Sequence, residues 1–224
     1  MIRVFLIDDH ILFREGLKQI LTKHSDLRVV AEAGNSKEVM EKLQKDNYDV
    51  ILLDISLPGR NGPELLQDIK RILPQVAVLV LSMYPEDQYA VRMIKAGASG
   101  YVTKESAPEE LINAIRKVAH GGRYISSKLA EEMAVAIGDN APQFPHQLLS
   151  NREYQVMRML ASGKTLKDIA EELMISEKTV TTYRARILEK MHMKNNVELT
   201  IYAITHRLLP WYYSVRNQNQ SQEE

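Results

Sequence analysis

A doubly wound α/β domain followed by a small all-helical domain is the fold class this sequence predicts, and three observations predict it. Five short apolar runs divide the first half, and each is followed by a segment with helical spacing. Strict alternation of this kind implies right-handed crossovers, and so a five-stranded parallel sheet with helices on both faces. Past residue 148 the strand-like runs stop, and apolar residues recur only at helical intervals. A chain of 224 residues, 45% of them apolar, has length for two ordinary domains, each with its own core.

The runs are Ile2 to Ile7, Leu27 to Ala31, Val50 to Leu53, Val76 to Leu81 and Gly100 to Val102. Between them, Leu12, Gly16, Leu17, Ile20 and Leu21 mark a first helix, Val39, Met40 and Leu43 a second, and Leu65, Leu66, Ile69 and Leu73 a third. Ala90, Val91 and Ile94 mark the fourth, and Leu111, Ile112, Ile115 and Ala119 the fifth. Punctuation agrees: Pro74 follows the third helix, Gly97 closes the fourth, and Pro108 suits the first turn of the fifth. The first domain is expected over residues 1–122, ending at Gly121-Gly122. Residues 123–147 read as a linker with a short helix from Ser127 to Ile137, then a stretch stiffened by Pro142 and Pro145. Helices follow near Asn151 to Ala161, Thr165 to Leu173, Glu177 to Met191 and Asn196 to Arg207, within a second domain over 148–209. Ser150 with Glu153 has capping-box spacing, and residues 210–224 form a tail ending in polar residues.

Lysine plus arginine equals aspartate plus glutamate at 29 each, so no global charge points to nucleic acid or membrane. Cysteine is absent, which excludes disulfides, thiolate metal sites and cysteine nucleophiles. The N-terminal apolar stretch is too short for a signal peptide and ends in two aspartates, so a cytoplasmic location is expected.

Val50 to Leu53 delivers Asp54 to the carboxyl end of a strand, the edge where ligands bind in open α/β sheets. Asp8 and Asp9 close the first run in the same way. Three carboxylates at one edge repel one another unless a cation sits among them, and oxygen-only ligands favour a hard ion such as Mg²⁺. Ser82 and Lys104, just after the fourth and fifth runs, add a hydroxyl and a point charge. A metal and an ammonium beside a carboxylate are what an incoming phosphoryl group needs, with Asp54 as nucleophile forming an acyl phosphate. His10 adjoins the pair, but no second histidine stands at ligand spacing, so it reads as an exposed loop residue.

Asp8-Asp9, Asp54, Ser82, Tyr101 and Lys104 stand in the order of the receiver domain of two-component response regulators, which residues 1–122 resemble. That resemblance implies strand order 2-1-3-4-5, with Asp54 as phosphoacceptor and Asp9, Asp54 and the Ser56 main-chain carbonyl holding Mg²⁺, Asp8 assisting through water. Ser82 and Lys104 would grasp phosphoryl oxygens, and Tyr101 resembles the aromatic that turns inward when the hydroxyl residue moves. Glu105 follows Lys104 where many receivers have proline.

In the second half, Leu166 to Leu173 and Ser176 to Val180 bracket a tight turn, a helix-turn-helix pattern. On the second of these helices Val180, Tyr183, Ile187 and Met191 share one face, turning Lys178, Thr181, Thr182, Ala185 and Glu189 outward with Arg186 beside them. Ser176 to Lys194 carries net charge +3, the local basic excess that the whole chain lacks. Leu149-Ser150-Asn151-Arg152-Glu153, Leu160 to Lys164, Ile169-Ala170 and Thr179-Val180 resemble the LuxR-type output domain of the NarL/FixJ regulators. By that resemblance Thr181, Thr182 and Ala185 face bases, while Lys178, Arg184, Arg186 and Lys190 are the expected phosphate contacts. Met157, Met159, Met174, Met191 and Met193 read as core filler, and Trp211 to Tyr213 as packing against the last helix.

The expected protein is therefore a DNA-binding regulator, phosphorylated at Asp54 by a sensor histidine kinase and dimerising on activation at promoters, with Mg²⁺ as cofactor. It is not a turnover enzyme, beyond catalysing its own phosphorylation and dephosphorylation. Two alternatives stand beside this reading: a Mg²⁺-dependent phosphohydrolase or phosphotransferase using Asp54, and a constitutive DNA-binding protein with a non-signalling receiver.

Overall fold

The computed structural model describes residues 1–57, 62–84, 86–127, 129–131, 144–206 and 208–209, which form two compact units, Met1–Gly138 and Asp139–Glu224. In the first, β1 (Ile2–Ile7), β2 (Leu27–Ala33), β3 (Val50–Leu53), β4 (Ala77–Ser82) and β5 (Gly100–Thr103) alternate with α1 (Ile11–Thr22), α2 (Ser36–Lys42), α3 (Gly62–Ile72), α4 (Glu86–Lys95) and α5 (Pro108–Ala119). All ladders are parallel and the order is β2-β1-β3-β4-β5. Why the strands read as unbroken apolar runs is plain from the burial. Val4, Leu6, Val50, Leu52, Leu79 and Leu81 pack with Leu17 and Leu21 of α1 and Leu111, Ile112 and Ile115 of α5. The alternate residues Phe5, Ile7, Ile51, Leu53, Val78 and Val80 are buried as deeply, so across β1, β3 and β4 neither face of the sheet meets water.

Punctuation acts as its chemistry requires. Gly97 ends α4 at φ 109°, a conformation that a Cβ disfavours, and Pro108 opens α5, where no N–H is needed. The unit continues past Gly121-Gly122: Tyr124 bridges Gly100 of β5, and a Cβ on Gly100 would stand 2.6 Å from the Tyr124 carbonyl. Ser126 then caps the start of the expected linker helix, accepting from Leu129 N at 3.0 Å. That helix beyond Glu131 lies outside the described residues, as do Pro142 and the tail with Trp211 to Tyr213.

The second unit holds a 3₁₀ turn (Pro145–Leu148), α6 (Asn151–Ala161), α7 (Leu166–Glu172), α8 (Glu177–Lys190) and α9 (Asn196–Thr205). Ser150 and Glu153 form the expected capping box, and Thr165 with Asp168 forms a second. Tyr154, Val156, Met157, Ile169, Val180, Ile187, Leu199 and Ala203 make the core. One methionine departs from expectation. Met157, Met159 and Met191 are buried and Met193 half-buried, but Met174 is 72% exposed. It occupies the turn after α7 at φ 53°, where Ile175 N closes on Ala170 O at 2.9 Å and the side chain is carried away from the core.

Candidate functional site

Hydrogen bonds that run on past the strands assemble the crevice. Asp54 N donates to Ile7 O at 2.8 Å, setting Asp54 beside Asp8, and Lys104 N donates to Ser82 O at 2.8 Å, setting Lys104 beside Ser82. Lys104 Nζ then reaches 2.5 Å from Asp8 Oδ2 and 2.6 Å from Asp54 Oδ2, with all three side chains at most 5% exposed. So buried a set of charges persists only when each has a partner. Burial pushes the Asp54 carboxyl above the ordinary aspartate range, while Lys104 and the Ser56 N–H, 2.9 Å from Oδ1, pull it back. The Phe13 ring, 4.5 Å from Lys104 Nζ, offers a π face to the ammonium.

Asp9 lies more open than Asp8, yet its Oδ1 is buried and takes no hydrogen bond, with His10 Nδ1 3.0 Å away. Donor atoms of Asp8, Asp9, His10 and Asp54 all lie within 4.8 Å of one another. Three carboxylates against one ammonium leave an excess of two negative charges, which matches a divalent cation. The oxygen donors suit Mg²⁺, so the residues fit the expected metal. Ser56 is exposed and is tied to the site through its amide.

Ser82 is fully buried, and its Oγ accepts from Tyr84 N at 3.1 Å. Tyr101, 3% exposed, donates its hydroxyl to Tyr84 O at 2.7 Å. The Tyr84 backbone thus joins the hydroxyl of β4 to the aromatic of β5. Phe13 and Arg14, whose guanidinium donates to the Asp8 carbonyl, were not foreseen. Their only sequence signal is position in the first turn after Asp8-Asp9, and a helical period does not distinguish that from core packing. His10 is exposed, as expected, but stands against the carboxylates.

In the helical unit Lys178, Thr181, Thr182, Ala185, Arg186 and Glu189 are exposed along α8, opposite buried Val180 and Ile187. Thr181 Oγ1 donates to Glu177 O at 2.9 Å and Thr182 Oγ1 to Lys178 O at 3.0 Å, so both hydroxyl protons are engaged within the helix. Ser176 caps α8, accepting from Thr179 N at 3.1 Å. Arg184 Nε donates to Asn196 Oδ1 at 2.7 Å, linking α8 to the start of α9. Lys190 is engaged within the unit as well. Its ammonium lies 2.6 Å from Glu153 Oε2; that carboxylate is 4% exposed, while the Lys190 side chain itself is 41% exposed.

Two family models cover these two constellations: the response regulator receiver domain matches residues 4–116, and the luxR family of bacterial regulatory proteins matches residues 147–203. This chain is a two-component response regulator. Response regulator UvrY of Escherichia coli (strain K12) is 38% identical over 209 residues, covering 93% of this chain and 96% of UvrY. Response regulator GacA of Pseudomonas aeruginosa is 36% identical over 210 residues, 93% of this chain and 98% of GacA. Among solved structures, RcsB from Salmonella enterica serovar Typhimurium, bound to promoter rprA in the presence of the phosphomimetic BeF3-, shares 25% identity with a TM-score of 0.65. The match spans 90% of this response regulator and 98% of that chain. Its class, NarL/FixJ with a LuxR-type output domain, is the one the sequence resembles.

Proposed function

We propose that Asp54 of this response regulator accepts a phosphoryl group from a partner histidine kinase and that the acyl phosphate controls dimerisation and promoter binding by the helical unit. The observation that carries the reading is the Lys104 ammonium held between Asp8 and Asp54. An Asp54 carboxylate oxygen attacks phosphorus as the bond from phosphorus to the donor imidazole nitrogen breaks, and the freed imidazole takes up a proton. Lys104 is set to follow charge onto the phosphoryl oxygens, and Ser82 to hydrogen-bond one of them. Asp8, Asp9, Asp54 and the Ser56 carbonyl are the proposed Mg²⁺ holders, and the ion would neutralise oxygen charge during transfer. Tyr101 and Ser82 form the coupling element, because any shift of the Tyr84 backbone is felt by both.

On α8, Lys178, Arg184, Arg186 and Lys190 are the proposed phosphate contacts, with Thr181, Thr182 and Ala185 toward bases; Lys190 also holds Glu153. Exposed Val197, Ile201 and Ile204 share one face of α9 and suit a partner copy. The site of action is the cytoplasm, consistent with the finding that, among the described residues, no helix is long and apolar enough to cross a membrane.

The test follows DNA affinity of the full chain with and without a small phosphodonor, in the native chain and in Asp54→Ala. Tighter binding on phosphorylation, abolished by the substitution, is expected; equal affinity in all arms leaves the constitutive DNA-binding reading. Repeated turnover of small phosphate esters, in place of a single labile phosphate on Asp54, would make the protein an enzyme.

A further inference from the structure

Beside the carboxylates stands a group that an oxygen-only site does not require. His10 follows Asp8-Asp9 directly, and its main-chain N–H donates to Asp8 Oδ1 at 2.8 Å. The chain is thereby turned so that His10 Nδ1 lies 3.2 Å from Asp8 Oδ1 and 3.0 Å from Asp9 Oδ1. Lys104 takes the other oxygens, Asp8 Oδ2 and Asp54 Oδ2. The His10 side chain is 62% exposed, and its Nδ1 stands next to Asp9 Oδ1, a buried oxygen that accepts no hydrogen bond. The four donor atoms span at most 4.8 Å. Ligands on opposite sides of an ion at about 2.1 Å stand about 4.2 Å apart, so closing the set takes shifts of a few tenths of an ångström per group.

We infer that His10 Nδ1 is a fourth donor to the cation of the acidic crevice, making it a mixed nitrogen and oxygen site that prefers borderline divalent ions such as Ni²⁺ and Zn²⁺ over Mg²⁺. The inference rests on the metal reading above. Imidazole suits the later first-row ions, whereas carboxylate oxygen suits Mg²⁺. Any oxygen site shows part of that order, so the contribution of His10 is the part that vanishes with its ring. Such an ion competes with Mg²⁺ at the phosphoacceptor, and the loading of the crevice follows the relative supply of the two.

Pulsed electron paramagnetic resonance of the full chain loaded with Mn²⁺ reads a ligated nitrogen directly. Nitrogen coupling is expected in the native chain and absent in His10→Phe, whose side chain is exposed enough to leave folding intact. Calorimetric titration gives the second readout: the substitution should lower Ni²⁺ affinity about tenfold or more and Mg²⁺ affinity by less than about threefold. Bound Mn²⁺ without nitrogen coupling, or equal losses for both ions, overturns the inference and leaves His10 an ion-pair partner of Asp8 and Asp9. Failure of the native chain to bind either Mg²⁺ or Mn²⁺ overturns the metal reading itself, and this inference with it.

Discussion

In the crevice Lys104 is 3% exposed between two carboxylates, whereas along α8 Lys178 and Arg186 stand in solvent. In the proposed mechanism both regions present cations to phosphate oxygens, on a phosphoryl group in one case and on a nucleic-acid backbone in the other. Their energetics differ in kind. A buried charge is held by its partners, so removing it disturbs fold and chemistry together; an exposed charge supports little of the fold, so its removal touches binding alone. Lys190 lies between these cases, because it projects from the basic helix while neutralising the buried Glu153.

Substitutions at the centre of the crevice should have the largest effects. Asp54→Ala removes the proposed nucleophile, and phosphoryl incorporation from a labelled donor should fall below detection; persistent incorporation would move the chemistry to another group. Lys104→Ala leaves Asp8 and Asp54 buried without their ammonium. Chemical denaturation should show a loss of about 3 kcal/mol, with Mg²⁺ restoring part of it. A surface-like loss below ~1 kcal/mol would erase the contrast between the regions.

Glu153→Ala should fall next, at about 2 kcal/mol, since it removes the partner of the Ser150 cap and of Lys190. Burial pushes the Glu153 carboxyl up, but Lys190 and the Ser150 N–H more than offset this and hold it below the ordinary glutamate range. A lowered carboxyl stabilises the fold above its unfolded value and loses that contribution as pH falls through the folded one. Hydrogen-exchange protection factors in α6, corrected for the intrinsic rate at each pH, should therefore fall on acidification below the ordinary glutamate range, and Glu153→Gln should flatten that dependence. An unchanged profile in the variant would assign the acid sensitivity elsewhere.

Lys178→Ala should have the smallest effect. Stability should stay within about 0.5 kcal/mol, while DNA binding weakens and the slope of log affinity against log salt drops by about one. An unaltered slope would remove Lys178 from the phosphate contacts and narrow the comparison to Arg184, Arg186 and Lys190.

How far the sequence could be read depends on the range of the interaction. The apolar run Val50 to Leu53 announces a strand buried on both faces, and the Asp that ends it announces a sheet edge, because strand burial is written in consecutive residues. Ser150 with Glu153 announces a helix start for the same reason, its bonds closing within four residues. The partner of Lys190 was not legible: Glu153 is 37 residues away, and the pair exists because α6 packs against α8. Met174 departs from its reading as core filler because it lies past the end of α7, and its own left-handed backbone carries the side chain outward.

By itself, then, the sequence determined which segments are strands and helices, which strand ends carry carboxylates and which helix face is basic, all properties of neighbouring residues. Only the tertiary structure decided that one ammonium is shared by Asp8 and Asp54, that the Tyr84 backbone joins Ser82 to Tyr101, and that His10 stands against the acidic cluster. Those choices depend on which strand ends lie side by side in the sheet and how deeply each group is buried. A buried charge takes whatever partner the fold brings within reach, however far away it lies along the chain.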